Sequence, residues 1–118
     1  MKLRIQGNSL RFRLTRSEVA RLHENAMVQE TAHFGVGNGL TYRIQKGAGG
    51  DIGAELTEGA ITVQVPATLV DGWATSDEVG INARDGQMRI AIEKDFRCLT
   101  RPREDEQDAY PHPAEASL

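Results

Sequence analysis

Residues 7 to 15 read Gly7-Asn8-Ser9-Leu10-Arg11-Phe12-Arg13-Leu14-Thr15, and 51 residues further on the chain reads Glu58-Gly59-Ala60-Ile61-Thr62-Val63-Gln64-Val65-Pro66. Each stretch is a turn, then three apolar residues at alternate positions, then a residue suited to opening a helix. Strict alternation is the signature of a half-buried strand. Ahead of the first stretch, Leu3 and Ile5 alternate with Lys2, Arg4 and Gln6, and ahead of the second lies Ile52 to Leu56, so each stretch is the second strand of a pair. Behind the first, Thr15 stands three residues before Glu18, the spacing of a capping box, and opens a short helix with Val19 and Leu22 on one side. Behind the second, Pro66 suits the first turn of a helix, where its missing N–H costs nothing, and Ala67 to Trp73 makes one or two turns.

Both halves then return to strands. Met27 to Phe34, a turn at Gly35-Val36-Gly37-Asn38-Gly39, and Leu40 to Ile44 complete the first half, which Gly47 to Gly50 closes. Glu78 to Asn82 and Met88 to Glu93 complete the second, joined through Arg84-Asp85-Gly86-Gln87, in which Asp-Gly is a strong hairpin signal. A constant step of 51 residues superposes Ile5 on Leu56, Leu10 on Ile61, Phe12 on Val63, Leu14 on Val65, Leu22 on Trp73 and Val28 on Val79. The expected fold is therefore mainly β, a β-rich α+β domain. It is a single-chain barrel over residues 1–96, built from two pseudo-duplicated strand-strand-short helix-strand-strand halves at 2–46 and 52–93. Residues 97–118, with Pro102, Pro111 and Pro113 and an acidic run, form an extended acidic tail.

With 118 residues, 39% hydrophobic and 26% charged, the chain has the size and composition of one soluble globular domain. No apolar run approaches the roughly 18 to 20 residues of a membrane helix, and the first eight residues lack the apolar core of a secretion signal, so a cytoplasmic protein without membrane contact is expected. One cysteine, Cys98, forms no intrachain disulfide and supplies no multi-thiolate metal site. The charge is unevenly placed: residues 1–50 carry a net of +5 and residues 51–118 a net of −8. Such asymmetry signals a charged partner or two halves that attract each other. The pI near 5.6 argues against general nucleic-acid affinity.

Gly7-Asn8-Ser9 followed by Arg13-Leu14-Thr15 resembles segments of MazE-type antitoxins and AbrB-type regulators. Val65-Pro66-Ala67-Thr68-Leu69-Val70, Asp77-Glu78-Val79 and the Asp85-Gly86 hairpin resemble that family's proline-opened helix, its third strand and its final hairpin. The departures are Thr15 where the family has proline and the missing Gly-Asn-Ser in the second half. In the family two chains interlock their hairpins into one β-barrel. The resemblance thus implies an AbrB/MazE-like barrel closed within one molecule. It also implies DNA contact near the first two strands, at positions matching Arg4 and Arg13. The chain from Lys2 to Leu99 is also similar to a family of short uncharacterised bacterial proteins, which implies a bacterial origin and no mechanism.

Alternation turns Leu3, Ile5, Leu10, Phe12 and Leu14 inward, so Lys2, Arg4, Arg11 and Arg13 share an outer face able to meet phosphates, with Arg16 just beyond. The 51-residue step places Gly53, Glu55, Thr62, Gln64 and Ala67 at those five positions, so the second half keeps none of the charge. A homodimer pairing two first halves would restore a symmetric grip, and either a monomer or a homodimer fits the pattern. Antitoxin-like proteins pair a folded domain with an acidic segment that orders on a partner. Glu104, Asp105, Glu106, Asp108 and Tyr110 are the residues of that kind. Catalysis finds no footing: His23, His33 and His112 are scattered, and no hydrolase, zinc-protease or phosphate-loop spacing occurs. The glycines from 35 to 39 lie between strands and are turn chemistry. The acidic residues lack the spaced ligands of a calcium loop. The function expected is that of a non-enzymatic binding module, without cofactor or metal, engaging a protein partner, with a nucleic-acid-binding regulator as the alternative.

Overall fold

The computed structural model describes residues 1–96, so the expectations for the tail lie outside the described residues. The chain runs β1 (Lys2–Gln6), β2 (Ser9–Leu14), α1 (Arg16–Asn25), β3 (Met27–His33), β4 (Gly39–Gly47), β5 (Gly53–Thr57), β6 (Ala60–Pro66), α2 (Ala67–Ala74), β7 (Gly80–Asp85) and β8 (Met88–Lys94). The strands form two four-stranded sheets. The first has the order β1-β2-β8-β7 and the second β3-β4-β6-β5. Each sheet joins two antiparallel hairpins through one parallel pairing at its centre, β2 with β8 and β4 with β6. One hairpin of each pair comes from each half of the chain, so neither half owns a sheet.

Alternation works here as physics requires. Leu10, Phe12 and Leu14 on β2 meet Ile90 and Ile92 on β8, Val63 and Val65 on β6 stand beside Ile44 on β4, and all are buried in one core. Trp73, Leu22, Val19 and Val70 bring the two helices onto that core. The indole Nε1 of Trp73 donates to the Val79 carbonyl at 3.2 Å, which satisfies its polar edge.

The helix starts differ in kind. Thr15 caps α1 by accepting from the Glu18 N–H, and the Glu18 carboxylate accepts in return from the Thr15 N–H at 2.8 Å. The Met1 ammonium also lies on Glu18, and reaches Glu30 on β3 at 3.2 Å. Burial alone would push the Glu18 carboxyl up, yet the ammonium and the Thr15 N–H outweigh it and hold that carboxyl below the ordinary glutamate value. Burial likewise opposes the ammonium's charge, and the two carboxylates raise its pKa nonetheless. Pro66 ends β6 and stands at the N-cap of α2, one position earlier than the first-turn placement expected of it, and makes no side-chain cap.

Two expectations are corrected. The strand ladders give two sheets, and no closed barrel forms among the described residues. The edges of opposite sheets are linked by side chains instead: Met1 and Glu30 link the start of the first sheet to β3, and Asp85 Oδ2 accepts from the Ala54 N–H at 3.0 Å between β7 and β5. Second, β7 begins at Gly80, not at Glu78, and Val79 is 56% exposed where superposition on buried Val28 required a core residue. The carbonyl of Val79 is taken by Trp73 and by the Lys94 N–H, so this residue belongs to the loop that anchors the helix end. Strand pairing sets Val28 against Ile44 and Ile81 against Ile92, so Ile81 holds the position that Val79 was expected to hold. Gly80 allows the close approach, because a Cβ there would lie 3.0 Å from the Ile92 carbonyl.

Candidate functional site

The pairing registers assign every outward side chain of the first sheet to one of three rows across its four strands. Gln6, Ser9, Arg89 and Arg84 form one row, Arg4, Arg11, Ala91 and Asn82 the next, and Lys2, Arg13, Glu93 and Gly80 the third. Six of these twelve residues are basic and one is acidic. Ala91 at the centre carries little bulk, and an open groove of about 620 Å³ lies there between the arginines, with Gln6, Ser9 and Asn82 along it.

Charge placement on this face runs against the usual rule of sheets. Arg4 stands directly opposite Arg11, Lys2 opposite Arg13 and Arg84 opposite Arg89, each a like-charged cross-strand pair. Such pairs destabilise a sheet, whereas opposite charges at the same positions would contribute a few tenths of a kcal/mol to about 1 kcal/mol. Relief is local. Glu93 lies 3.5 Å from Arg11 Nε and 4.0 Å from Arg13 Nε, and Asp95 lies 3.6 Å from Lys2, all at the end of the face where β8 finishes.

The sequence-derived candidates separate. Lys2, Arg4, Arg11 and Arg13 come together as expected on adjacent strands. Arg16 does not join them: it opens α1 and lines a different groove, of about 680 Å³, with Leu14, Val19, His23, Lys94 and Phe96. Glu104, Asp105, Glu106, Asp108 and Tyr110 lie outside the described residues. Arg84 and Arg89 were missed. Their outward direction follows from the inward Ile81, Ile90 and Ile92, but only the long-range parallel pairing of β2 with β8 brings them beside Arg11.

A second polar cluster ties the helices to β4. Asp71 Oδ1 on α2 is 2.7 Å from His23 Nδ1 on α1 and 2.6 Å from Lys46 Nζ, and Lys46 also donates to the His23 carbonyl at 2.6 Å. Lys46, then His23, hold the Asp71 carboxyl below its ordinary value. This is a clamp between three elements. Among the described residues no three His, Cys, Asp or Glu side chains gather as a metal site, and no helix is long and apolar enough to cross a membrane.

Fold and site together define a mainly β domain with two sheets that share a core and present one strongly basic outer face. The chain belongs to DUF7009, a family of unknown function, which it matches over residues 1–114, in keeping with the similarity to an uncharacterised family. No curated protein and no solved structure matches it, and the resemblance to MazE-type and AbrB-type proteins has no counterpart in these comparisons.

Proposed function

We propose that the chain is a non-enzymatic binding module whose first sheet takes the phosphate backbone of a nucleic-acid duplex on its outer face. One observation carries this reading: three like-charged cross-strand pairs stand on a single face, an arrangement costly to the free protein and relieved by an anionic ligand. The chemistry narrows the ligand. The twelve outward residues of that sheet include no aromatic ring, so there is no platform for the stacked bases of a single strand. Three inter-strand spacings of about 4.8 Å make the sheet roughly 14 Å across, wider than the ~12 Å major groove, so the face lies over phosphates instead of entering the groove. Interactions of this kind position a duplex and carry little sequence information.

The exchange of hairpins between halves supports a further part of the reading, that the chain is a single-molecule counterpart of the interlocked MazE/AbrB-type pair. In such an arrangement each sheet takes one hairpin from each repeat, as β1-β2 with β8-β7 and β3-β4 with β6-β5 do here. The bounds of β5, β6 and α2 begin 51 residues after those of β1, β2 and α1, which also favours descent from a repeated unit.

The test is fluorescence anisotropy with a labelled duplex. Neutralising four to five phosphates predicts a slope of log affinity on log salt of about −3.6 to −4.5, hence a fall of roughly 150- to 500-fold between 50 and 200 mM salt. A duplex that stays unbound at 50 mM salt refutes the reading and returns the chain to the protein-partner class expected from its tail.

A further inference from the structure

We propose that the groove at the centre of the basic face grips one strand of the duplex by its sugar-phosphate ridge and makes no equivalent contact with the other strand. The inference rests on the duplex reading above and adds which part of the duplex is held, and by which residues.

The pairing registers set the charges of two adjacent rows on a diagonal. In one row Arg89 and Arg84 stand on β8 and β7, with Gln6 and Ser9 on β1 and β2; in the next, Arg4 and Arg11 stand on β1 and β2, with Ala91 and Asn82 on β8 and β7. The uncharged side chains therefore fall on the opposite diagonal. Both diagonals line the groove of about 620 Å³, so an uncharged path crosses the sheet obliquely with an arginine pair on each bank. Three strand spacings and one two-residue step make that path roughly 16 Å long. At its middle Arg11 and Arg89 are diagonal neighbours, roughly 8 Å apart along the sheet.

Shape then selects the part of the ligand that fits. A concave trough receives a convex feature, and the convex features of a duplex are its two sugar-phosphate ridges. With cations on both banks, the trough holds one ridge along its length, so successive phosphates of the same strand meet Arg4 and Arg11 on one side and Arg84 and Arg89 on the other. Guanidinium groups suit the task, since each offers a planar fork of donors to phosphate oxygens. Gln6, Ser9 and Asn82 add amide and hydroxyl donors of the kind that meet phosphate and sugar. Ala91 makes the room, being the one residue of these two rows whose side chain ends at Cβ. The single acid of the face, Glu93, stands in the third row, outside the trough, 3.5 Å from Arg11 Nε.

Two anisotropy measurements on the full chain test this. The first uses a duplex with one natural strand and one strand of uncharged methylphosphonate linkages. A grip confined to one strand takes the charged strand and keeps every contact, so only the lower charge density of the ligand weakens the salt dependence. The slope of log affinity on log salt should then stay at about four-fifths of its value for the natural duplex. Contacts shared equally between the strands would cut it to about two-fifths, which overturns the inference and leaves the proposed function standing. The second replaces Ala91. Ala91→Leu fills the trough without altering charge and should weaken binding of the natural duplex about tenfold, whereas Ala91→Ser stays small and should bind within about twofold of the native chain. Full affinity in Ala91→Leu overturns the inference and again leaves the proposed function standing. A natural duplex that stays unbound at 50 mM salt refutes both.

Discussion

The two sheets are alike on the inside and unlike on the outside. Each places a parallel strand pair at its centre, and those pairs bury Phe12 and Ile92 in one sheet and Ile44 and Val63 in the other, all essentially without exposure. On the solvent side the second sheet sets Thr31 against Thr41, with their hydroxyls 2.9 Å apart, Gln45 against Gln64, and Gln29 against Arg43. The first sets arginine against arginine. Core packing demands only apolar residues at alternate positions, and both sheets meet that demand equally well. The outer positions are unconstrained by packing, so packing does not account for the concentration of one charge on one of them. The chain as a whole carries a net charge of −3, and a single face nonetheless carries six bases and one acid.

If the sheets share one core, damage to either should cost the same. Ile44→Ala and Ile92→Ala each remove a fully buried side chain from a central strand and should each destabilise the protein by about 2–5 kcal/mol in denaturant unfolding. A near-zero cost for one of them would show that its sheet contributes little to the common core.

The outer faces should respond unequally. Arg84→Ala with Arg89→Ala should lower duplex affinity about as much as Arg11→Ala with Arg13→Ala, roughly 10- to 100-fold, and the salt slope should become shallower by about one for each phosphate left without its arginine. Arg43→Ala on the second sheet should leave affinity within twofold. Equal losses from all three variants would dissolve the distinction between the faces.

Much of this comparison was legible in the sequence, and the reason is local. Alternation in Leu10-Arg11-Phe12-Arg13-Leu14 fixes which residues point inward, the Thr15 and Glu18 spacing fixes a helix start, and Asp85-Gly86 fixes a hairpin, with Gly86 at φ 61° in its turn. Each depends on neighbours a few positions away. The basic face was only half legible, because Arg84 and Arg89 reach it through a parallel pairing between residues some 80 positions apart. The place of β7 was misjudged for a similar reason. Val79 looks like a strand residue locally, and only the hydrogen bonds from Trp73 and Lys94 assign it to the loop.

Smaller effects separate the two helix starts. Thr15→Ala removes the cap of α1 and should cost about 1 kcal/mol, or roughly 4–8 °C in Tm. α2 has no side-chain cap, so Thr68→Ala in its first turn should change Tm far less. Glu18 adds a pH dependence. Its folded-state pKa is depressed, so its contribution is complete above the ordinary glutamate pKa and is lost as pH falls through the lowered folded value. Thermal melts of the protein and of Glu18→Gln should accordingly converge on acidification, and a constant gap down to pH 2 would contradict that assignment.

The most direct test of the central claim is an amide chemical-shift map of the full chain titrated with a short duplex at 50 mM salt. Arg4, Arg11, Arg13, Arg84, Arg89 and Ala91 should shift together while Gln29, Arg43, Thr62 and Gln64 on the second sheet stay in place. Shifts centred on the second sheet, or spread evenly over both, would contradict it.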